Sequence, residues 1–280
     1  MHLVIFGLGY SGAAVARMAA ANGVRVTVTS RDPGRAAPPA GVAVMGFGAA
    51  LPEDVTHVLA TAPPDAAGDP VLRAYGGALA SGGMLRWAGY VSTTGVYGDR
   101  GGAWVDETSV VAPGQERSRR RVAAEQAWAS LAGGVAVDLF RTAGIYGAGR
   151  SALDEVRAGR ARRVVKPGHA FGRVHVEDIA GAVLAAARQE APAGVRVLHL
   201  ADDVPAETAE VVAEAARLLG VEPPPEVPFE QAVLAMSEMG RSFWAENRRV
   251  ASARTQEMLG YRWQYPSFRE GLRAILAAGG

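Results

Sequence analysis

A glycine-rich run near the start of the chain constrains its fold more than any other feature. Apolar residues 2–6 precede the run Gly7-Leu8-Gly9-Tyr10-Ser11-Gly12, and an alanine-rich stretch follows at 13–22. Glycines at this spacing allow a tight turn, a close approach of backbone amides to a pyrophosphate, and close packing of helix on strand. Residues 22–23 are typical of a helix end, and a second strand is predicted at 25–29. The context favours a dinucleotide site at Gly7, Gly9, Tyr10, Ser11 and Gly12; a purely structural turn is the alternative.

The end of the second strand indicates which dinucleotide is bound. NAD-binding proteins place an acidic residue here to accept hydrogen bonds from the ribose, whereas NADP-binding proteins offer a cation to the 2′-phosphate. Ser30 stands at the position of that acidic residue, and Arg31 and Arg35 follow. Because a guanidinium suits a phosphate, these residues predict NADP rather than NAD. Two alternatives stay open: Arg31 and Arg35 are solvated loop charges, or a shifted register brings Asp32 to the ribose.

Composition narrows the class of protein. With 280 residues, the chain can form one large domain or two smaller ones. A net charge of +1 gives no general attraction to nucleic acid or membrane, and no apolar run approaches the roughly 20 residues of a membrane span. The chain contains no cysteine, its five histidines are scattered, and it starts without a signal-peptide pattern. We expect a cytoplasmic protein without a metal.

Short apolar strands alternate with helical stretches along most of the chain. This alternation predicts an α/β fold, a doubly wound parallel sheet with crossover helices on both faces. Further strands are predicted at 43–47, 57–62, 85–93, 135–142 and 195–200, and helices at 70–80, 116–131 and 176–188. Beyond residue 202 the pattern is helical, at 206–219, 230–239, 252–259 and 267–278. We therefore predict a cofactor domain at 1–202, with a substrate-lobe insertion at about 145–175, and a small, mainly helical lobe at 203–280.

Three further segments resemble conserved sequence motifs of one known protein family. The motifs are Tyr90-Val91-Ser92-Thr93-Thr94-Gly95-Val96-Tyr97-Gly98-Asp99, then residues 141–147 (RTAGIYG), then residues 173–180 (RVHVEDIA). In this order and spacing they resemble the extended short-chain dehydrogenase/reductases, the NAD(P)-dependent epimerase/dehydratase family. The resemblance covers most of the chain. It implies a Rossmann cofactor domain, a homodimer formed through the helices at 70–80 and 116–131, and a small-molecule substrate such as a nucleotide sugar. It also implies contacts to the nicotinamide half of the cofactor at Ala62 and Pro63, for which a plain strand-to-loop transition is the alternative.

The catalytic set of that family is a Ser or Thr, then Tyr-x-x-x-Lys, often with Glu four residues after the lysine. Thr93 matches the first position, and alignment on Glu125 places Arg121 at the lysine and Arg117 at the tyrosine. Arg121 can still hold the nicotinamide ribose. Arg117 cannot take over the proton exchange of the family's tyrosine, because arginine does not release its proton in proteins. The usual acid/base is therefore absent, and the chain resembles an atypical member of the family.

Two functions are compatible with this departure. In the first, the chain is an NADP-dependent oxidoreductase or epimerase with a relocated proton donor, for which Tyr97, Tyr146 and His175 are candidates. Tyr97 and Tyr146 follow strand ends, the correct edge for a site, although packing against the backbone is an alternative for each, and His175 has a structural alternative too. In the second, the chain is a non-catalytic NADP-binding sensor or regulatory module.

A run of arginines at residues 117–121 allows a third hypothesis, phosphate contacts to nucleic acid. Acidic residues lie beside this run, the rest of the chain is balanced in charge, and no aromatic stacking pattern accompanies it. We therefore do not expect a nucleic-acid partner, and we interpret the run as a basic wall that faces an anionic substrate or the cofactor.

Overall fold

Strands and helices alternate along the computed structural model, which describes residues 1–81 and 83–279. The strands are β1 (His2–Phe6), β2 (Arg25–Ser30), β3 (Ala43–Gly46), β4 (His57–Ala60), β5 (Trp87–Thr93), β6 (Trp104–Val105), β7 (Ala136–Thr142), β8 (Gly144–Tyr146), β9 (Arg163–Val165), β10 (Arg173–His175), β11 (Gly194–Leu200), β12 (Glu226–Pro228) and β13 (Arg249–Val250). The α-helices are α1 (Tyr10–Ala21), α2 (Pro70–Ser81), α3 (Glu116–Ala129), α4 (Ala152–Arg157), α5 (Val176–Arg188), α6 (Thr208–Leu219), α7 (Phe229–Ala232), α8 (Glu238–Trp244), α9 (Ala253–Leu259) and α10 (Phe268–Ala277).

Seven of these strands form one parallel sheet in the order β3-β2-β1-β4-β5-β7-β11. The chain first builds outward from β1 to β3 and then returns to build the other half, so the predicted doubly wound sheet is confirmed. Phe6 pairs with both Thr29 and Ala60, and Thr93 pairs with Thr142. This register aligns the carboxyl ends of the central strands at one edge, where such sheets bind ligands.

The side chains of β1 alternate between two cores, as expected for a strand buried on both faces. Leu3 and Ile5 pack with α1 and α5, whereas Val4 and Phe6 pack with α2 and α3. The alanines of α1 allow it to lie close to α5, because small side chains bring helix backbones together. The sheet therefore lies between two helical layers, and its carboxyl edge stays open for a site.

The C-terminal part is mainly helical, as the sequence predicted. The helices α4, α6 and α10 share an apolar cluster that includes Leu153, Val211, Phe268 and Ile275. Short parallel pairs, β8 with β10, β9 with β12 and β6 with β13, tie this part to loops that leave the sheet. The boundary between residues 202 and 203 stays a prediction.

One predicted helix differs in the structure. The sequence pattern predicted a continuous helix at 230–239, but the chain forms α7, a 3₁₀ turn at Val233–Ala235, and then α8. Met236 is extended, and the Ser237 hydroxyl accepts a hydrogen bond from the Gly240 N–H at 3.1 Å. A serine that caps a new helix interrupts the helical period, and this break sets the direction of the segment that reaches the site.

Candidate functional site

The glycine run forms the turn between β1 and α1, and its glycines act differently. Gly7 has a φ of +110°, a conformation that favours glycine. A Cβ on Gly12 would lie 2.3 Å from the Gly7 carbonyl oxygen, whereas a Cβ on Gly9 would meet no atom within 4 Å. The start of α1 has no side-chain cap and no acidic residue in its first turn. Free amides beside open space at Gly9 fit a pyrophosphate group.

Neighbouring side chains hold this turn in place. The Gly7 N–H donates to Thr29 Oγ1 at 3.2 Å, and Thr61 Oγ1 donates to the Phe6 carbonyl at 3.1 Å. The Tyr10 hydroxyl donates to the Ala148 carbonyl at 3.0 Å, which ties the turn to the loop after β8. Ser11 is partly exposed in the first turn of α1. The turn is thus fixed from both sides before any ligand arrives.

The predicted adenosine end lies at the end of β2. The Ser30 hydroxyl accepts from the Asp32 N–H at 3.2 Å and donates to the Asp32 carbonyl at 3.0 Å, so Ser30 closes a local turn. Arg31 and Arg35 are exposed and have no acidic partner among the described residues. Both guanidinium groups are therefore free for a phosphate at this edge. Asp32 is exposed as well, so the alternative for the ribose stays open.

A cavity of about 680 Å³ opens at the carboxyl edge of the sheet, between β5, β7 and α3 on one side and the C-terminal part on the other. Pro63 contributes to its wall, and Ala62 lies between Pro63 and the glycine turn, since the Ala62 nitrogen is 3.6 Å from the Cβ position of Gly7. The two predicted residues after β4 therefore connect the turn with the cavity.

Thr93 and Arg121 both line this cavity. Thr93 Oγ1 accepts from the Gly95 N–H at 3.1 Å, which leaves its own proton free to donate. Arg121 Nη1 donates to the Val91 carbonyl at 2.7 Å and to the Tyr90 hydroxyl at 3.2 Å. Burial raises the pKa of Tyr90 to about 12, so that phenol stays protonated beside the guanidinium. The structure brings these two predicted residues together.

Arg117 lies one helical turn before Arg121 and also lines the cavity. Its guanidinium carbon stands 4.3 Å from the ring centroid of Phe243, a cation–π contact. The two arginines that the sequence comparison predicted at the tyrosine and lysine positions are thus both in the cavity wall, and both carry permanent positive charge.

Tyr97 lies outside the cavity, although the sequence suggested it as a proton donor. It is fully buried, and its hydroxyl contacts Arg141 Nη1 at 2.7 Å, His199 Nε2 at 2.5 Å and the Asp106 carbonyl at 3.1 Å. Burial raises the pKa of this phenol. A hydroxyl with three partners favours the packing role that the sequence also allowed.

Tyr146 does line the cavity, but its hydroxyl points elsewhere. The hydroxyl donates to the Ser267 carbonyl at 3.3 Å and lies 2.1 Å from the Cβ position of Gly271 in α10. Burial raises the pKa of Tyr146 far above its usual range. His175 caps α5 by accepting from the Glu177 N–H at 3.3 Å, and burial lowers its pKa to about 4. Both contacts match the structural alternatives.

Sequence reasoning missed the side chains that reach the cavity from the C-terminal part. Phe243, Trp244, Glu246 and Arg248 line it, as does Arg173 from β10. Arg248 Nη1 donates to Glu246 at 2.7 Å. The adjacent arginines 248 and 249 were the available signal, but only the fold shows which one turns inward.

An aromatic cluster supports this part of the wall. Trp244 stacks on His169 with ring centroids 5.3 Å apart and contacts Phe171 at 5.0 Å. Lys166 Nζ donates to the Trp244 carbonyl at 2.9 Å and lies 4.2 Å from the Phe229 ring centroid. The one lysine of the chain thus holds the segment that carries Trp244.

The doubly wound sheet, the glycine turn and the cavity at the strand ends define the fold of the extended short-chain dehydrogenase/reductases, so the predicted resemblance is confirmed at the level of the fold. The chain belongs to the same family as a conserved protein of unknown function from Silicibacter pomeroyi DSS, with 41% identity, a TM-score of 0.89 and coverage of 99% of each chain. No family profile matches the chain.

Other solved structures share the fold at lower identity. The human epimerase family protein SDR39U1, solved with NADPH, is 20% identical over 99% of each chain with a TM-score of 0.79. MoeE5, solved with UDP-glucuronic acid and NAD, is 17% identical over 100% of each chain with a TM-score of 0.77. These neighbours hold nicotinamide dinucleotides, which agrees with the predicted class of cofactor.

One curated relative is similar over part of its length. The 3-diazoavenalumate denitrifying reductase of Streptomyces sp is 34% identical over 99 residues, which are 35% of this chain. The match spans about a third of that relative, 32% of its length.

The described residues contain no helix that is long and apolar enough to cross a membrane. Within residues 1–81 and 83–279, no group of three or more His, Cys, Asp or Glu side chains is placed to hold a metal ion.

Proposed function

We propose that this chain is an NADP-dependent oxidoreductase or epimerase that acts on a polar small molecule, with Arg117 and Arg121 in place of the usual tyrosine and lysine. The observation that carries the proposal is the continuity of one sheet edge. The open glycine turn, Pro63, Thr93 and Arg121 follow one another along that edge and end in the cavity. A nucleotide sugar is one candidate substrate, because MoeE5 was solved with UDP-glucuronic acid.

Each residue along this edge has a role that follows from its chemical group. When bound, NADP supplies the hydride donor or acceptor. The amides at the start of α1 bind its pyrophosphate, and Arg121, fixed on the Val91 carbonyl, binds the nicotinamide ribose. The Thr93 hydroxyl, whose oxygen already accepts from the Gly95 N–H, donates a hydrogen bond to a substrate oxygen in the cavity. Arg117 cannot exchange a proton, so it stabilises negative charge instead.

The choice of NADP over NAD is tested by binding. We expect NADPH to bind at least about tenfold more tightly than NADH, since a 2′-phosphate can pair with free guanidinium groups. The variant Arg31→Ala/Arg35→Ala should lower the affinity for NADPH and leave that for NADH unchanged, as measured by quenching of tryptophan fluorescence. Equal affinities in the wild type would contradict the assignment and direct attention to Asp32.

A non-catalytic NADP-binding module is the second candidate. The arginine at position 117 favours it, because the described cavity wall lacks a phenol placed to exchange a proton. The two candidates are separated by NADPH consumption with a panel of carbonyl substrates, with Tyr97→Phe and Tyr146→Phe as controls. Turnover in the wild type that both controls retain would support an enzyme that uses Thr93 and the arginines. No turnover with any substrate, despite tight NADPH binding, would favour the module.

We also propose a homodimer formed through α2 and α3, and a cytoplasmic location. Two arginines of the basic run are engaged locally, because Arg119 and Arg120 pair with Glu116 at 3.1 and 3.2 Å. This pairing supports the expectation that the run does not serve nucleic acid. Light scattering coupled to gel filtration tests the dimer, and a monomer at micromolar concentration would contradict it.

A further inference from the structure

The charge of the cavity is the first observation that points to its ligand. Arg117, Arg121 and Arg173 line it, and within the described residues none of them has a carboxylate oxygen within 4 Å. Glu246 is the one acidic side chain in the described wall, and it is already paired with Arg248 at 2.7 Å. Arg173 interacts electrostatically with the buried carboxyl of Asp202 and donates to the Phe171 and Ala206 carbonyls. Arg117 and Arg121 therefore carry the positive charge of the wall that has no acidic partner among the described residues, and this charge favours an anion.

The hydrogen-bonding groups of the wall add a second constraint. Guanidinium groups only donate hydrogen bonds. The described lining contains no Asn, Gln or Asp side chain, and its one carboxylate is that of Glu246, whose Oε2 is paired with Arg248 and whose Oε1 has no hydrogen-bond partner among the described residues. The other side-chain acceptors are hydroxyl oxygens such as those of Thr93, Thr142 and Thr208. A ligand that carries many hydroxyl donors would meet few strong acceptors. A ligand that carries acceptors and few donors would meet partners throughout.

The apolar part of the wall adds a third constraint. Phe243 is 55% exposed, yet its ring covers the Arg117 guanidinium at 4.3 Å. Tyr146, Phe171 and Trp244 also face the cavity. Flat aromatic surfaces pack best against another flat ring, in offset or edge-on contact.

The Phe243 side chain is carried on a segment that is held at both ends. Gln115 Nε2 donates to the Ser242 carbonyl at 2.6 Å, and Lys166 Nζ donates to the Trp244 carbonyl at 2.9 Å. Gln115 immediately precedes α3, which carries Arg117. The aromatic ring and the cation are therefore positioned relative to each other before a ligand binds, which reduces the ordering cost of binding.

We propose that the cavity binds a planar, conjugated carboxylate, whose carboxylate pairs with Arg117 and whose flat body packs on Phe243. This inference rests on the proposed function for the cavity's role as a substrate site, and it replaces the nucleotide sugar by a smaller, acceptor-rich acid.

The test is isothermal titration calorimetry on the NADP-loaded protein with three probes. The first is trans-cinnamate, the second is 3-cyclohexylpropionate, which has the same charge but a saturated and non-planar ring, and the third is UDP-glucose. We expect cinnamate to bind at least about tenfold more tightly than either of the other two.

Variants test whether Arg117 and Phe243 form the binding site for cinnamate. Arg117→Gln and Phe243→Leu should each weaken cinnamate binding at least about fivefold. Arg119→Gln, a matched change on the same helix at an arginine that pairs with Glu116 outside the cavity, should leave it unchanged. Phe243 is exposed, so Phe243→Leu tests the idea even where Arg117→Gln does not fold.

The titrations distinguish failure of the conjugated-acid proposal from failure of the proposed NADP-dependent function. Cinnamate that does not bind, or that binds no better than 3-cyclohexylpropionate, overturns the proposal. Tighter binding of UDP-glucose overturns it in favour of a nucleotide sugar and leaves the proposed function intact. A protein that does not bind NADP contradicts the proposed function, and the same probes titrated into the unliganded protein then decide whether the cavity takes a conjugated acid.

Discussion

Gly9 and Gly12 stand three residues apart in one motif and are required for different reasons. Gly12 lacks a side chain because the Gly7 carbonyl occupies the space that a Cβ would need, so its role is packing. Gly9 faces open space, so its role appears only when a phosphate approaches the backbone. The motif alone predicted both glycines, but the division of roles follows from the distances.

The two glycines therefore predict opposite phenotypes. Gly9→Ala should change the free energy of unfolding by less than about 1 kcal/mol and weaken NADPH binding at least about tenfold, because the methyl group meets the phosphates. Gly12→Ala should lower the free energy of unfolding by roughly 1–3 kcal/mol through overpacking. Urea denaturation without cofactor and fluorescence titration with NADPH measure the two effects. Equal destabilisation by both changes would contradict this division.

Single residues also show where sequence reasoning stops. Thr93, chosen from the strand-end motif, and Arg121, chosen by alignment on Glu125, both line the cavity, and their roles stay predictions. The surroundings of Tyr97 and Tyr146 could not be read, since their partners Arg141 and Ser267 are 44 and 121 residues away in sequence. The sequence places a phenol near a strand end, but only packing decides where its hydroxyl points.

At the scale of elements, one ion pair joins α3 to the centre of the sheet. Arg141 in β7 donates from Nη2 to Glu125 Oε2 at 2.7 Å, and Ser92 in β5 donates to Glu125 Oε1 at 2.5 Å. Both partners of the ion pair are buried, with side-chain exposures of 8% and 6%. Because α3 carries Arg117 and Arg121, this pair fixes the height of the basic wall above the strands.

Glu125→Ala should lower the free energy of unfolding by roughly 3–5 kcal/mol, because it leaves the Arg141 charge buried without its partner. The double variant Glu125→Leu/Arg141→Met should recover most of the loss, since an apolar pair of similar volume needs no counter-charge. Chemical denaturation of the two variants and the wild type provides the comparison. A double variant as unstable as Glu125→Ala would show that the cost arises elsewhere.

The elements themselves were predicted unevenly. The central strands and their helices were predicted within a few residues, because apolar runs between glycine and proline turns determine them locally. The helix predicted at 230–239 was wrong, because a local cap at Ser237 interrupts an otherwise helical pattern. The short strands β6, β8, β9, β10, β12 and β13 were missed or seen only as motifs, since strands of two or three residues carry no period.

At the scale of the whole molecule, burial of neutral histidines makes stability depend on pH. Burial lowers the pKa of His169 and of His175 to about 4, below the ordinary value of 6.5. The unfolded chain therefore binds more protons than the folded chain between about pH 6.5 and pH 4. This contribution to stability is complete above pH 6.5 and is lost as the pH falls towards 4.

His175→Gln should reduce the acid loss of stability by up to about 3 kcal/mol between pH 6.5 and pH 4. The measurement is the difference in the free energy of unfolding between variant and wild type at each pH. Comparison at equal pH matters because burial raises the pKa of Asp202 from its ordinary value of 3.8 to about 8, which gives the opposite slope across this whole range. Parallel curves for the two proteins would contradict the assignment.

The architecture as a whole followed from the alternating pattern, because a parallel sheet needs helical crossovers and the handedness rule limits their arrangement. The cavity did not follow from it. Arg173, Phe243 and Arg248 reach the cavity from segments far apart in sequence, and the short strand pairs that bring them there have no signal of their own.

Because the chain has one lysine, a fluorescent label can be attached to one side chain close to the cavity. Lys166 is the only lysine side chain among the 280 residues, and its amine lies against Phe229 and the Trp244 carbonyl, behind the aromatic wall. An amine-reactive dye thus has one side-chain target, and the attached fluorophore sits next to the segment that carries Phe243. Apart from the N-terminal amine, the dye therefore reports on this one position of the chain without any engineered residue.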